Sequence, residues 1–332
     1  MSSDQPIPLS IQRLLDVYPS FALLAGLRLE VFTGLKDGPL SAAQLAAALE
    51  VEPERLQVLL YALAAAGLLE VRNVDLFANT AEAGRLLVKG NPHYLGGAHA
   101  LWAQLWEAGL RTADSLRAGQ PQARHDLAAL PPAELAAFIE GLHPDALETG
   151  AALALRPEWA GCRALLDVGG GSGGMSIALC RVHPNLCATI VELPAVTPLT
   201  RRFVTEADLV KRVEIRAADI LSQPLERRFD AAVLKAFLQA LSPSQARQAL
   251  VRVAAALCPG ARIYILGQGI LDDSRLSPRE AACFNIVVLS LYPEGRAYTE
   301  SEYRAWLEEA GFAEVERTAL SDGSPLITAQ KR

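Results

Sequence analysis

The sequence predicts an α/β chain: a Rossmann-like, doubly wound sheet with a reversed terminal strand, preceded by a mainly helical domain. Three observations carry that prediction. From residue 163 onward, strand-like and helix-like stretches alternate, the pattern of a parallel sheet covered on both faces. A glycine-rich loop, DVGGGSGG, closes the first of those strands. The last two strand-like stretches, AEVERTAL and SPLITAQ, are joined only by SDG, and so short a link can join only antiparallel strands.

The elements follow in order. Residues 1–95 read as helices and then a hairpin, a winged-helix arrangement. Ser41 with Gln44 three residues on forms a capping-box pattern. ERLQVLLYALAAA, from Glu54 to Ala66, is a helix that Gly67 ends. LLEVR, the turn NVD and LFANT give the hairpin. Residues 96–155 are a helical linker and pocket segment, interrupted at AGQPQARHD and LPP. Trp102 and Trp106, four apart, share one helix face; they pack in a core or line an aromatic pocket. Residues 156–332 form the sheet domain. RALLDVG, CATIVEL, RVEIRAAD, FDAAVLK and ARIYILG are its strands, and SPSQARQALVRVAAAL is a helix capped by Ser242 with Pro243 at its first position.

Composition narrows the function. At 332 residues, with 51% hydrophobic and 20% charged residues, the chain buries a sizeable core. Its net charge of −6 comes from the first 150 residues, at −7 against +1 for the rest. Neither part offers the basic surface that phosphate backbones attract. The helix that would enter a groove presents Arg55 and Gln57 and then an apolar face, which suits protein packing better than base reading. MSSDQPIPLS lacks the order of a signal peptide, and no apolar run reaches a membrane span; a cytoplasmic protein is expected. The five cysteines (162, 180, 187, 258, 283) form no CxxC pair, and the five histidines (93, 99, 125, 143, 183) are scattered. Reduced thiols and no metal are expected.

The glycine loop alone is ambiguous. Gly169, Gly171 and Gly174 fit the dinucleotide pattern GxGxxG, whereas Gly169, Gly171 and Gly173 fit GxGxG, the S-adenosylmethionine pattern. Glu192, 21 residues beyond Gly171, ends the second strand, where an acid holds ribose hydroxyls of either cofactor. Asp219 ends the third strand, in RAADIL, where a carboxylate accepts from an adenine amino group. Asp219 and the reversed strand pair favour S-adenosylmethionine.

Together these motifs resemble the small-molecule O-methyltransferases that include the caffeate, isoflavone and acetylserotonin enzymes and many bacterial secondary-metabolite enzymes. ALLAGLRLEVFTGLKDGPLS and EPERLQVLLYALAAAGLLE resemble their dimerising winged-helix domain; LLDVGGGSGG, VELP, AADI, VLKAFL and GRAYTESEYRAWLEEAGF follow their order. The resemblance implies a homodimer with S-adenosyl-L-methionine as cofactor. It implies that Gly169 and Gly171 pass beneath the methionine part and that Asp167 supports the loop. Glu192 would take the ribose hydroxyls in place of the family's aspartate. Asp219 and Ile220 would contact adenine, and Lys235 would lie along the cofactor. Leu142, Phe284, Asn285 and Tyr292 join Trp102 and Trp106 as candidates for the substrate pocket.

One departure sets the question of mechanism. The family's base histidine falls on Gln239, and its two acidic partners fall about Gln268 and Ala297. Glutamine cannot accept a proton near neutral pH. Methyl transfer proceeds without a base when the acceptor is a carboxylate, an enolate, an acidic phenol or an electron-rich carbon. His143, in FIEGLHPD, stands where the resemblance puts a cavity-lining FxxAMH stretch, and is a candidate substitute base; the alternative is a histidine at a helix end, since Pro144 follows. The expected function is therefore O-methylation of a small, apolar, aromatic or polyketide-like metabolite. C-methylation is the alternative. From other classes come a cofactor-binding protein that has lost methyl transfer and a metabolite-sensing transcription factor.

Overall fold

The computed structural model describes residues 9–91, 94–225 and 229–332. His93 and most of the N-terminal stretch MSSDQPIPLS lie outside them. By its contacts the chain divides into two compact units, residues 1–99 and 100–332. The helical segment expected at 96–155 thus falls mostly within the second unit.

The first unit runs α1 (Leu9–Leu15), α2 (Tyr18–Arg28), α3 (Val31–Gly34), β1 (Leu40–Ser41), α4 (Ala42–Leu49), α5 (Pro53–Ala65), β2 (Leu69–Arg72), β3 (Leu76–Asn79) and α6 (Ala81–Leu86). Ser41 caps α4 through a complete capping box with Gln44. Gly67, at φ +76°, ends α5, and Leu68 N–H reaches back to Leu63 O at 2.9 Å, a Schellman closure. Asn73 and Val74 both take positive φ, and Asp75 N–H reaches back to Asn73 O at 2.9 Å, closing a three-residue turn between Arg72 and Leu76. The two-residue β1 adds an edge, giving the order β1-β3-β2. A row of large apolar side chains on α1 and α2 stays exposed, including Leu14 at 68%, Tyr18 at 74% and Phe21 at 50%.

The second unit opens with α7 (His99–Leu110), α8 (Thr112–Ala118) and α9 (Pro132–Ala154). Then follow β4 (Ala164–Val168), α10 (Gly174–Val182), β5 (Cys187–Glu192), α11 (Thr197–Glu206), β6 (Val213–Ala217), β7 (Phe229–Lys235), α12 (Pro243–Ala256), β8 (Leu257–Leu266), β9 (Ile270–Leu271), α13 (Arg279–Leu291), β10 (Tyr298–Thr299), α14 (Glu300–Glu309), β11 (Phe312–Ala319) and β12 (Pro325–Lys331). Seven strands form one sheet in the order β11-β12-β8-β7-β4-β5-β6. β12 is antiparallel to both neighbours; the reversed strand lies one place in from the edge.

Side chains alternate across the sheet. On β4 and β7, Leu166, Val168, Ala232 and Leu234 enter one core with α12 and α14. Leu165, Ala231 and Val233 enter the other with Trp159 and α10. From β4 the chain builds outward to β5 and β6, then returns to β7 on the other side. A crevice therefore opens beyond the C-terminal end of β4, where ligands bind in such sheets.

Pro144 corrects one expectation. It does not end a helix: α9 continues through it to Ala154. A proline there removes one backbone hydrogen bond, and the helix persists because its flanking turns are held by tertiary contacts described below.

Candidate active site

The loop after β4 is built by three glycines in the left-handed region: Gly169 (φ +65°), Gly171 (+55°) and Gly173 (+80°). This alternation is the GxGxG spacing. Gly174 has a different reason to be glycine: a Cβ there would stand 2.7 Å from Ala146 Cβ and 3.1 Å from Leu147 N on α9. The loop is tied down on all sides. Gly171 N–H donates to Glu192 Oε2 at 2.7 Å, and Thr200 Oγ1 donates to Gly171 O at 2.6 Å. Ser176 Oγ donates to Asp167 Oδ2 at 2.6 Å. Phe237, just past β7, packs so closely on Gly169 that a Cβ would meet its ring at 2.5 Å.

Two buried acids meet beneath this loop. Glu192 is 7% exposed, and its other oxygen accepts from Leu193 N–H at 2.7 Å; burial raises its carboxyl above the ordinary range, against those two hydrogen bonds. Asp167 Oδ1 is buried without a partner, and burial pushes its carboxyl up to about 6. Between 3.8 and about 6 the folded chain holds this proton more tightly than the unfolded chain does. Asp167 therefore favours folding at the acid end of that window and costs stability as pH rises through it.

These features fit an adenosyl cofactor carrying a charged amino group. Asp167 offers an unused acceptor, Glu192 retains acceptor capacity for hydroxyls, and the side of Gly171 where a Cβ would project meets nothing nearer than Ile139 Cδ1 at 3.9 Å.

The other candidate residues divide. Asp219, half-buried just past β6, accepts from Leu221 N–H at 2.8 Å through Oδ1, which holds one of its oxygens in the turn. Ile220 is 3% exposed and packs in the core with Leu166 and Val168; its side chain is structural. Lys235 pairs with Asp145 on α9. Gln239 is 8% exposed in a short 3₁₀ turn. It is boxed by two glycines: a Cβ on Gly269 would meet Gln239 Oε1 at 2.5 Å, and one on Gly295 would meet its carbonyl oxygen at 2.6 Å. Gln268 is exposed, whereas Ala297 is buried.

His143 sits elsewhere on this crevice. Its Nδ1 is 2.8 Å from Ser172 Oγ in the glycine loop, and its ring stacks on Phe203 of α11 at 4.0 Å. Burial first, then Arg181 and Arg202, push it down to about 4.

Of the residues expected in the substrate pocket, Trp102, Trp106, Leu142, Phe284 and Tyr292 are half-buried, and burial pushes the Tyr292 phenol up to about 12. Asn285 does structural service: its Oδ1 accepts from Ala297 N–H at 2.7 Å. Sequence reasoning missed Ser172, Ser176, Thr200 and Phe237. Only Ser172, inside the glycine run, carried a signal.

The O-methyltransferase domain family matches residues 123–313, and the family's dimerisation domain matches residues 12–89. The chain belongs to the O-methyltransferase family. It is an S-adenosylmethionine-dependent methyltransferase. Among its relatives, 3-hydroxy-5-methyl-1-naphthoate 3-O-methyltransferase of Streptomyces sahachiroi is 33% identical, over 88% of this chain and 86% of that one. The tetracenomycin polyketide synthesis 8-O-methyl transferase TcmO of Streptomyces glaucescens is 28% identical over 97% and 96%. The fold is shared with the structure of an O-methyltransferase family protein from Burkholderia thailandensis, with a TM-score of 0.85 at 24% identity, covering 98% of each chain. Among the described residues no helix is long and apolar enough to cross a membrane, and no three His, Cys, Asp or Glu side chains converge as a metal site.

Proposed function

We propose that this methyltransferase O-methylates a small aromatic or polyketide-like acceptor without a general base. The observation that carries this reading is Gln239, a group that cannot take a proton, held buried between Gly269 and Gly295. The two relatives above, which act on a naphthoate and in tetracenomycin polyketide synthesis, support the acceptor class. Half-buried Trp102, Trp106, Phe284 and Tyr292 supply apolar and aromatic wall for such a ring.

The bound donor supplies an electrophilic methyl group on sulfur. The chain's task is then positioning. The glycine loop and Glu192 hold the donor, Asp167 accepts from its amino group, and Asp219 and Lys235 flank it. Gln239 orients the acceptor by hydrogen bonding. Alignment of the reactants alone can supply ~7–11 kcal/mol of the barrier. An acceptor that arrives as its own anion leaves no proton to remove.

A hydroxynaphthoate assayed for S-adenosylhomocysteine release tests this. The pH–rate profile should follow the acceptor's own ionisation. Gln239→Ala should lower the rate by the worth of one neutral hydrogen bond, ~0.5–1.5 kcal/mol, with the profile's shape kept. A rate limb that disappears in a protein variant would show that the enzyme does supply a base. A methyl group found on ring carbon by NMR would make this a C-methyltransferase.

The same reading makes the protein a twofold homodimer. Ile11, Leu14, Tyr18 and Phe21 leave too much apolar surface in water for a monomer. The protein should sediment as a dimer at micromolar concentration, and Phe21→Glu should shift it toward monomer. A wild-type monomer in that experiment would refute the assembly.

A further inference from the structure

α9 is fastened around the donor site by side chains within one turn of Pro144. Glu140 Oε1 accepts from Arg202 Nη2 on α11 at 2.6 Å. Asp145 pairs with Lys235 at the tip of β7. Between them, His143 reaches the glycine loop itself.

His143 makes two contacts, to two different elements. Its Nδ1 meets Ser172 Oγ at 2.8 Å. The same hydroxyl accepts from Gly174 N–H at 3.3 Å, so it links the loop, the start of α10 and α9. The imidazole also lies flat on Phe203, 24° from parallel. Ser172 is 3% exposed, so this is an interior clasp.

We propose that His143 is a positioning residue for the methyl donor: it clasps α9 to the cofactor loop through Ser172 and Phe203 and takes no proton from the acceptor. The proposal rests on the donor site described above. A general base needs a free lone pair and a pKa near the working pH. Here Nδ1 is engaged by Ser172 and one ring face is covered by Phe203, which leaves only Nε2 to meet an acceptor. The charged groups directed at the ring, Arg181 on α10 and Arg202 on α11, disfavour imidazolium. The nearby acids are engaged by cations: Glu140 and Glu206 with Arg202, and Asp145 with Lys235. A neutral imidazole suffices for this stacked, hydrogen-bonded clasp.

Variants separate the contacts. His143→Asn keeps a polar partner for Ser172, His143→Phe keeps the stack on Phe203, and His143→Ala removes both. Calorimetry with S-adenosylhomocysteine should show affinity lowered about tenfold in His143→Ala, as for one lost buried hydrogen bond and a stack, and less in the other two. KM for the donor should rise in parallel. At saturating donor, kcat should fall less than about threefold, far from the 10²–10⁴-fold that loss of a base costs, and its pH profile should keep its shape. Ser172→Ala should lose at least as much as His143→Phe, since it also removes the acceptor of Gly174 N–H, and the double variant should be no worse than Ser172→Ala alone, because both substitutions remove the same His143–Ser172 contact. If His143→Ala fails to fold, the Asn and Phe variants decide the matter. A collapse of kcat with KM for the donor unchanged would overturn the proposal, as would additive losses in the double variant. Wild-type protein that does not bind S-adenosylhomocysteine would overturn both this proposal and the donor-site reading, and so is told apart from a failure of the clasp alone.

Discussion

Glu192→Ala should weaken S-adenosylhomocysteine binding by at least ~100-fold and lower the melting temperature as well. Two backbone donors, Gly171 N–H and Leu193 N–H, each lie 2.7 Å from its carboxylate. Hydrogen bonds to a charged group contribute ~1.5–3 kcal/mol each. Those two are already formed without ligand, so their loss falls partly on stability and partly on the shape of the loop. The loss of the ribose acceptor proposed for Glu192 would fall on binding alone. Glu192→Asp separates the two effects. The shorter acid can still accept from ribose but has one methylene less with which to reach Gly171 N–H. It should bind within about tenfold of wild type while melting earlier. An alanine variant that bound normally in calorimetry would remove Glu192 from the donor site.

Gly174→Ala should have the second largest effect. Its new Cβ would stand 2.7 Å from Ala146 Cβ and close to the α9 backbone. Neither is the flexible end of a side chain, so α9 has to move. Overpacking of this kind costs ~1–3 kcal/mol. The movement should also separate His143 from Ser172, so donor affinity should fall together with melting temperature. Gly150 meets α10 in the same manner, with a Cβ only 2.8 Å from Ala178 Cβ, and Gly150→Val should mimic the defect. If Gly174→Ala kept both wild-type stability and wild-type affinity, α9 would not be pinned at this crossing.

Much of the fold is legible in the sequence because its signals are local. The capping boxes at Ser41 and Ser242, the Gly67 stop and the short SDG link each act within a few residues of where they stand. The glycine loop and Glu192 are legible for the same reason, since both sit at strand ends. What was hidden depends on distance along the chain. Thr200 reaches Gly171 across 29 residues, and His143 reaches Ser172 across 29; no periodicity encodes such a pairing. The β9–β10 pair is two residues long on each side, too short to show alternation. Pro144 misled because local propensity disfavours a helix through it, while Arg202, Ser172 and Lys235, all remote in sequence, hold one there. The burial of Ile220 in the core and the bond from Ala297 N–H to Asn285 Oδ1 are likewise settled by packing remote in sequence, which residue type alone does not reveal.

The packing around Gln239 limits which groups can stand beside it. A single substitution, Gln239→His, would return an imidazole to that turn. An orienting acid would not come with it so easily. Ala297, one of the places where the family resemblance puts such an acid, is 1% exposed and packed with Leu271 and Ala281. A carboxylate there would be buried without a partner, at a cost of several kcal/mol. Gly269 could not gain a side chain without displacing whatever stands at 239. Of the two places where the resemblance puts an acid, packing thus bars the one at Ala297, whereas Gln268 is exposed.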